Sequence, residues 1–127
     1  MSSSEKSLVT VAPAEAERLQ AMYEAFNARD VDRVLQEMTA DVDWPNGWEG
    51  GRVTGQHAVR DYWTRQWQAI DPVVTPVSFT AIPDGRVQVR VHQVVHDRAG
   101  ALLADTHVHH VYSFREGLIQ SMQIVEA

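Results

Sequence analysis

The chain contains no cysteine, which excludes a disulfide framework, a thiolate metal site and a cysteine nucleophile together. Basic charge is scarce as well. Against 17 Asp and Glu stand only 11 Lys and Arg, a formal charge of −6, and no basic stripe could follow a phosphate backbone. A nucleic-acid partner is therefore not expected. No apolar run approaches the roughly 20 residues of a membrane span, and no signal-peptide core follows Met1–Lys6. The expectation is a soluble, cytoplasmic protein with no membrane partner. A length of 127 residues suits one domain that buries its core without staples.

What is present is a single change of hydrophobic period. Residues 1–12 are Ser-rich and aperiodic and read as a flexible tail, leaving 13–127 as the single domain. From Ala14 to Ala28, Leu19, Met22, Tyr23 and Phe26 form one helical stripe. Asp30 can cap a second short helix with the stripe Val31, Val34, Leu35 and Met38. Asp41 to Gly55 reads as a short strand and a loop. Thr54 can then cap a third helix, whose wide face carries Val59, Tyr62, Trp63, Trp67 and Ile70.

After Pro72 the period becomes two and strands run to the end. Val77, Phe79 and Ala81 alternate up to the turn at Pro83-Asp84-Gly85. Val87, Val89, Val91, Gln93 and Val95 share one face of the next strand. The turn Asp97–Gly100 pairs that face with Ala104, Thr106, Val108, His110, Tyr112 and Phe114. At Arg115-Glu116-Gly117 two registers are open. A three-residue loop puts Leu118, Gln120, Met122, Ile124 and Glu126 on the same face, with Phe114 opposite Leu118 and His110 opposite Met122. A two-residue loop presents Ile119, Ser121, Gln123 and Val125 instead. The first is preferred for its apolar pairings. The expected fold class is α+β: a cone of three N-terminal helices packed on a strongly curved, mainly antiparallel sheet that encloses a pocket.

Three segments carry a resemblance: Asn27-Ala28-Arg29-Asp30; Ala40-Asp41-Val42-Asp43-Trp44-Pro45-Asn46-Gly47 with Ala58–Trp63 after it; and Ile119–Gln123. They resemble ketosteroid isomerase and its relatives, the nuclear transport factor 2-like superfamily with its SnoaL-like polyketide cyclases. The resemblance implies a ligand cavity between helices and sheet. It also implies what has been lost. The isomerase base, an aspartate before the proline, aligns with Trp44. Its oxyanion-holding tyrosine aligns with Met22, with Tyr23 turned about 100° away. Its protonated aspartate aligns with His110, and its supporting tyrosine with Trp63. Steroid isomerisation is therefore not expected.

His110 remains as the candidate general base or acid, since an unperturbed imidazole titrates near neutrality. The competing reading is a core histidine satisfied by Gln93 or a carbonyl. If it lies near Trp63, Gln93 and Met122, burial should lower its pKa, unless Glu126 reaches it. Asp43 is a weaker catalytic candidate, because strand parity turns it away from the Trp44 side unless the strand bulges. Met22, Trp44, Trp48, Tyr62, Trp63, Gln93, Tyr112, Met122 and Ile124 are the expected ligand-binding residues; Trp67 is expected to serve core packing. His107 and His109 share a face, but with Arg90 and Gln88 expected beside them no metal is assigned, and no cofactor is expected. His92 is expected opposite Asp105. That outer face is a candidate homodimer surface, with plain solvent exposure as the alternative. Two functions stay open. One is proton transfer on an apolar cyclic or aromatic substrate, of the isomerase, cyclase, dehydratase or hydrolase type. The other is a non-catalytic ligand-binding or dimerisation domain.

Overall fold

The computed structural model describes residues 11–47 and 49–127; the first ten residues of the expected tail, and Trp48, lie outside the described residues. Helix α1 spans Pro13–Asn27, with proline in its first turn where a missing N–H costs nothing. It ends with Arg29 left-handed at φ 63°, Asp30 N–H donating to the Ala25 carbonyl at 2.9 Å and Arg29 N–H to Phe26 at 3.0 Å. This is the helix stop usually made by glycine. Here arginine is held in it by other contacts: its guanidinium pairs with Asp71 and lies 5.4 Å from the Trp67 ring centre. Asp30 then caps α2 (Val31–Gln36) by accepting from Arg33 N–H at 3.2 Å, as its position before the second stripe suggests.

Strand β1 (Met38–Pro45) begins at Met38, which the stripe of α2 had claimed, and the short strand β2 (Arg52–Thr54) returns alongside it. Thr54 is occupied in that pairing opposite Asp43, so it does not cap α3 (Gln56–Ala69). Gly55 does, at φ 92°, and no side chain bonds the helix start. Ile70 is likewise not the end of α3 but the first residue of β3 (Ile70–Ala81). The sheet is completed by β4 (Val87–Asp97), β5 (Leu102–Arg115) and β6 (Leu118–Glu126), in the order β2-β1-β6-β5-β4-β3. All neighbours are antiparallel except β1 and β6.

The β4–β5 hairpin has the expected faces. Val91 pairs with Val108, Val89 with His110 and Val87 with Tyr112. On the outer face His92 stands opposite His107, not Asp105, and reaches Asp105 on the diagonal at 2.6 Å. The same shift of two puts Arg90 opposite His109 rather than beside His107, and Gln88 faces Val111 and not a histidine. Val77 departs from its expected alternation and is 55% exposed, because β3 bulges between Pro76 and Ser78. Two prolines remove ladder donors from this strand, which the sheet accommodates by placing it at an edge.

The β5–β6 hairpin resolves the two open registers by using both. Its loop is Glu116-Gly117, both left-handed at φ 54° and 81°, and Phe114 pairs with Ile119. A bulge follows, after which Ser113 pairs with Ser121, Tyr112 with Met122 and His110 with Ile124. Ile119 and Met122 are three residues apart, so a regular strand would send them to opposite faces. The extra residue lets both bury, at 0% and 2% exposure. His110 therefore faces Ile124, one pair along from the Met122 expected opposite it.

The core lies between the inner sheet face and the helices: Leu19 and Met22 of α1, Val34 of α2, Val59 and Trp63 of α3, against Val87, Val89, Val91, Tyr112 and Ile119. Two side chains tie helices to strands. The Asn27 amide exchanges two hydrogen bonds with Val74 of β3, at 2.8 and 3.0 Å, and so fixes α1 on the sheet edge. Gln56 Nε2 donates to the carbonyls of Leu35, Met38 and Thr39, satisfying the end of α2. Nothing lies near the position a Cβ would take on Gly117, so Gly117→Ala tests backbone strain alone. It should lower stability by about 1–2 kcal/mol in urea unfolding, with the folded spectrum unchanged.

Candidate functional site

Between α1, α3 and the inner sheet face lies a cavity of about 300 Å³. Its walls come from four parts of the chain: Met22, Tyr23 and Phe26 of α1; Trp44 and Pro45 of β1; Tyr62, Trp63 and Gln66 of α3; and inward residues of β3 to β6, among them Gln93, Val108, His110, Tyr112, Met122 and Ile124. The expected ligand-binding residues are thus brought together, apart from Trp48, which lies outside the described residues. Trp44 and Trp63 meet edge to face at 5.4 Å and Phe26 meets Trp63 at 5.3 Å, giving a stiff aromatic wall. Trp67 packs behind it against Phe26 and Trp63, the core role expected of it, with its buried Nε1 unpaired.

Polar groups are few and none is charged. No Asp, Glu, Lys or Arg is among the described residues lining the cavity. Asp43 stands outside it, paired with Arg52 at 3.0 Å on the opposite face from Trp44, as strand parity dictates. Gln66 donates to the Tyr62 hydroxyl at 3.2 Å on α3, one turn apart. Gln93 sits on the His110 face, opposite Thr106 and four residues from Val89, the partner of His110. That spacing separates the two backbone positions by about 13 Å along the strands.

The centre of the polar wall is a hydrogen-bond chain. Tyr112 donates its hydroxyl to that of Tyr23 at 2.7 Å, and Tyr23 contacts His110 Nδ1 at 2.9 Å. With its oxygen accepting from Tyr112, Tyr23 spends its own proton on Nδ1. The imidazole proton then resides on Nε2, which makes no hydrogen bond to the described residues. Tyr23 is the residue that sequence reasoning missed. It does not turn away from the site: Met22 and Tyr23 straddle the middle of one stripe, and the longer side chain reaches the sheet. Its adjacency to Met22 on a stripe facing His110 was the available signal.

His110 is 6% exposed, and burial alone pushes its pKa down from 6.5 to about 4. Glu126 supplies no compensating charge, being exposed at the end of β6 opposite Val108. Burial also raises both tyrosines well above the ordinary phenol value. At neutral pH all three groups are uncharged. Among the described residues no three His, Asp or Glu side chains gather as a metal site; His107 stacks on His92 at 4.7 Å on the outer face.

A cavity between two helices and the inner face of a curved sheet, with one buried polar cluster, marks this as a cone-shaped α+β domain. The SnoaL-like domain profile matches residues 19–122, and the chain belongs to that family, within the nuclear transport factor 2-like superfamily. No curated protein matches the sequence. Among solved structures the chain is similar to TerC co-crystallised with polyporic acid, at 24% identity and TM-score 0.78 over 90% of this chain and 92% of that one. It is similar to a nuclear transport factor 2-like protein of unknown function from Burkholderia pseudomallei, at 22% identity and TM-score 0.79, covering 91% and 92%. A candidate polyketide cyclase from Xanthomonas campestris matches at 26% identity and TM-score 0.72, covering 87% and 88%.

The lowered pKa has a consequence for stability. Above pH 6.5 His110 is neutral folded or unfolded and contributes no pH dependence. Between 6.5 and about 4 the unfolded chain takes up a proton that the folded one refuses, so stability falls with pH across that window. His110→Gln removes this dependence. The stability lost between pH 7 and pH 5 should be smaller in the variant by about 2 kcal/mol, read from urea unfolding at the two pH values.

Proposed function

We propose that this domain binds an uncharged, apolar cyclic molecule and promotes proton transfer within it, as an isomerase, cyclase, dehydratase or hydrolase would. The observation that carries this reading is the buried Tyr112–Tyr23–His110 chain opening onto a cavity that holds no charge. The walls of Trp44 and Trp63 suit a flat ring. His110 presents Nε2–H to a ligand carbonyl. When the neighbouring carbon gives its proton to a solvent water, charge builds on that oxygen, and a donor held in place by Tyr23 binds it more strongly than the ketone. The neutral imidazole is the hydrogen-bond donor of the site, and Tyr23 holds it in place. The likeness to a candidate polyketide cyclase supports chemistry of this kind.

One observation favours a second reading, ligand binding without chemistry. No carboxylate lines the cavity among the described residues, so no strong base faces a bound carbon acid. One experiment separates the two. A cyclic ketone such as 2-tetralone is titrated by tryptophan fluorescence, and exchange of its α-protons is then followed by NMR in D₂O. The proton-transfer reading predicts protein-dependent exchange, slowed about 10²–10³-fold in His110→Leu. Binding without accelerated exchange would establish the second reading in its place.

We also propose a homodimer through the outer sheet face, where Arg90, His92, Asp105, His107 and His109 lie on β4 and β5 away from the helices. Light scattering at micromolar concentration should give twice the mass of the chain. His107→Glu with His109→Glu should shift the species toward monomer.

A further inference from the structure

Two polar side chains of the inner sheet face, His110 and Gln93, line the cavity at positions far apart. Between them along the sheet lies the pair Val91 and Val108, with Val91 fully buried and Val108 in the cavity wall. The two ends differ in depth. His110 is 6% exposed, whereas Gln93 is half-buried and its strand partner Thr106 is exposed. The cavity therefore runs from a sealed end at His110 to an open end at Gln93.

Each end holds a hydrogen-bonding group that the protein does not use. Nε2–H of His110 has no acceptor among the described residues, and the Gln93 amide makes no hydrogen bond to them either. The indoles of Trp44 and Trp63 in the same wall can only donate. The Gln93 amide both gives and accepts, so it suits a hydroxyl as well as a carbonyl.

A ligand lying along the valine floor reaches both groups. Their backbone positions are about 13 Å apart along the strands, four residues at about 3.3 Å each. A hydrogen bond of about 3 Å at each end leaves about 7 Å between the two ligand oxygens. Two fused rings with an oxygen at opposite ends match that span, and a single ring falls short of it.

We infer that the site takes a neutral two-ring molecule with an oxygen function at each end, one held by His110 at the sealed end and the other by Gln93 at the open end. The inference rests on the ligand-binding role proposed above and deepens it. A molecule with one oxygen is held at a single point and can turn about it. The second contact fixes which ring carbon lies beside the oxygen at His110, the positioning that a reaction at one carbon needs. Placing that contact at the open end costs little desolvation, because a half-buried oxygen keeps part of its hydration.

The test uses the full chain and two probes of one skeleton, 1-tetralone and 6-hydroxy-1-tetralone, whose hydroxyl lies across the rings from the ketone. At pH 6 the phenol and His110 are both uncharged. Affinities are measured by calorimetry for the wild type and for Gln93→Leu, which keeps the bulk of the side chain and removes its amide. The Gln93 side-chain amide is followed in ¹⁵N–¹H spectra, assigned with the same variant. The hydroxyl should tighten binding to the wild type about fivefold, and that gain should vanish in Gln93→Leu. 6-Hydroxy-1-tetralone, and not 1-tetralone, should shift the Gln93 amide signal. A gain that persists in Gln93→Leu would overturn the inference. So would an unmoved Gln93 amide in the wild-type complex, a result that does not depend on the variant folding. If both probes bind the wild type equally, the inference falls and the ligand-binding reading stands. If neither binds, both fall.

Discussion

A histidine sealed inside an apolar cavity must be hydrogen-bonded or it destabilises the fold, and here the bond comes from another layer of the molecule. His110 belongs to β5 and Tyr23 to α1, and their contact at 2.9 Å joins helix to sheet in the cavity wall. The rest of the structure is arranged around that contact. Asn27, one turn after Tyr23, fastens α1 to β3, and the left-handed stop at Arg29 turns the chain sharply into α2. Trp63 of α3 closes the cavity opposite, braced by Phe26 and Trp44.

The electrostatics follow from the same burial. An imidazole with two phenols for company and no carboxylate within the lining stays neutral well below pH 7. That makes it a poor store of charge but a good directional hydrogen-bond partner, since its two nitrogens have opposite roles and Tyr23 assigns them. Exposed ion pairs sit elsewhere, among them Arg52 with Asp43, Arg115 with Asp41 and Arg65 with Glu49. Each is part of the scaffold around the cavity rather than of its interior.

Much of this was legible in the residue pattern. Alternation of valines on β4 set the inner face, and the turn at Asp97–Gly100 carried it to His110 and Tyr112, because slips that preserve parity preserve the face. Exact partners were less legible, since parity is blind to a shift of two; hence His92 opposite His107 rather than Asp105. Bulges were not legible at all. The one in β6 admits both Ile119 and Met122 to the core, and the one in β3 sends Val77 out, through local backbone irregularities that no periodicity reveals. Tyr23 was missed for a related reason: one position along a helix is a rotation of about 100° for the Cβ, but less for the end of a long side chain.

Under the proposed function, Nε2 of His110 is the atom that meets the ligand. A crystal structure of the protein with 1-tetralone bound would show this directly. The ketone oxygen should lie about 3 Å from Nε2, with the rings against Trp44 and Trp63 and the Tyr23–Nδ1 contact retained. A ketone seated in the cavity with its oxygen turned away from His110, or bound outside the cavity, would contradict it.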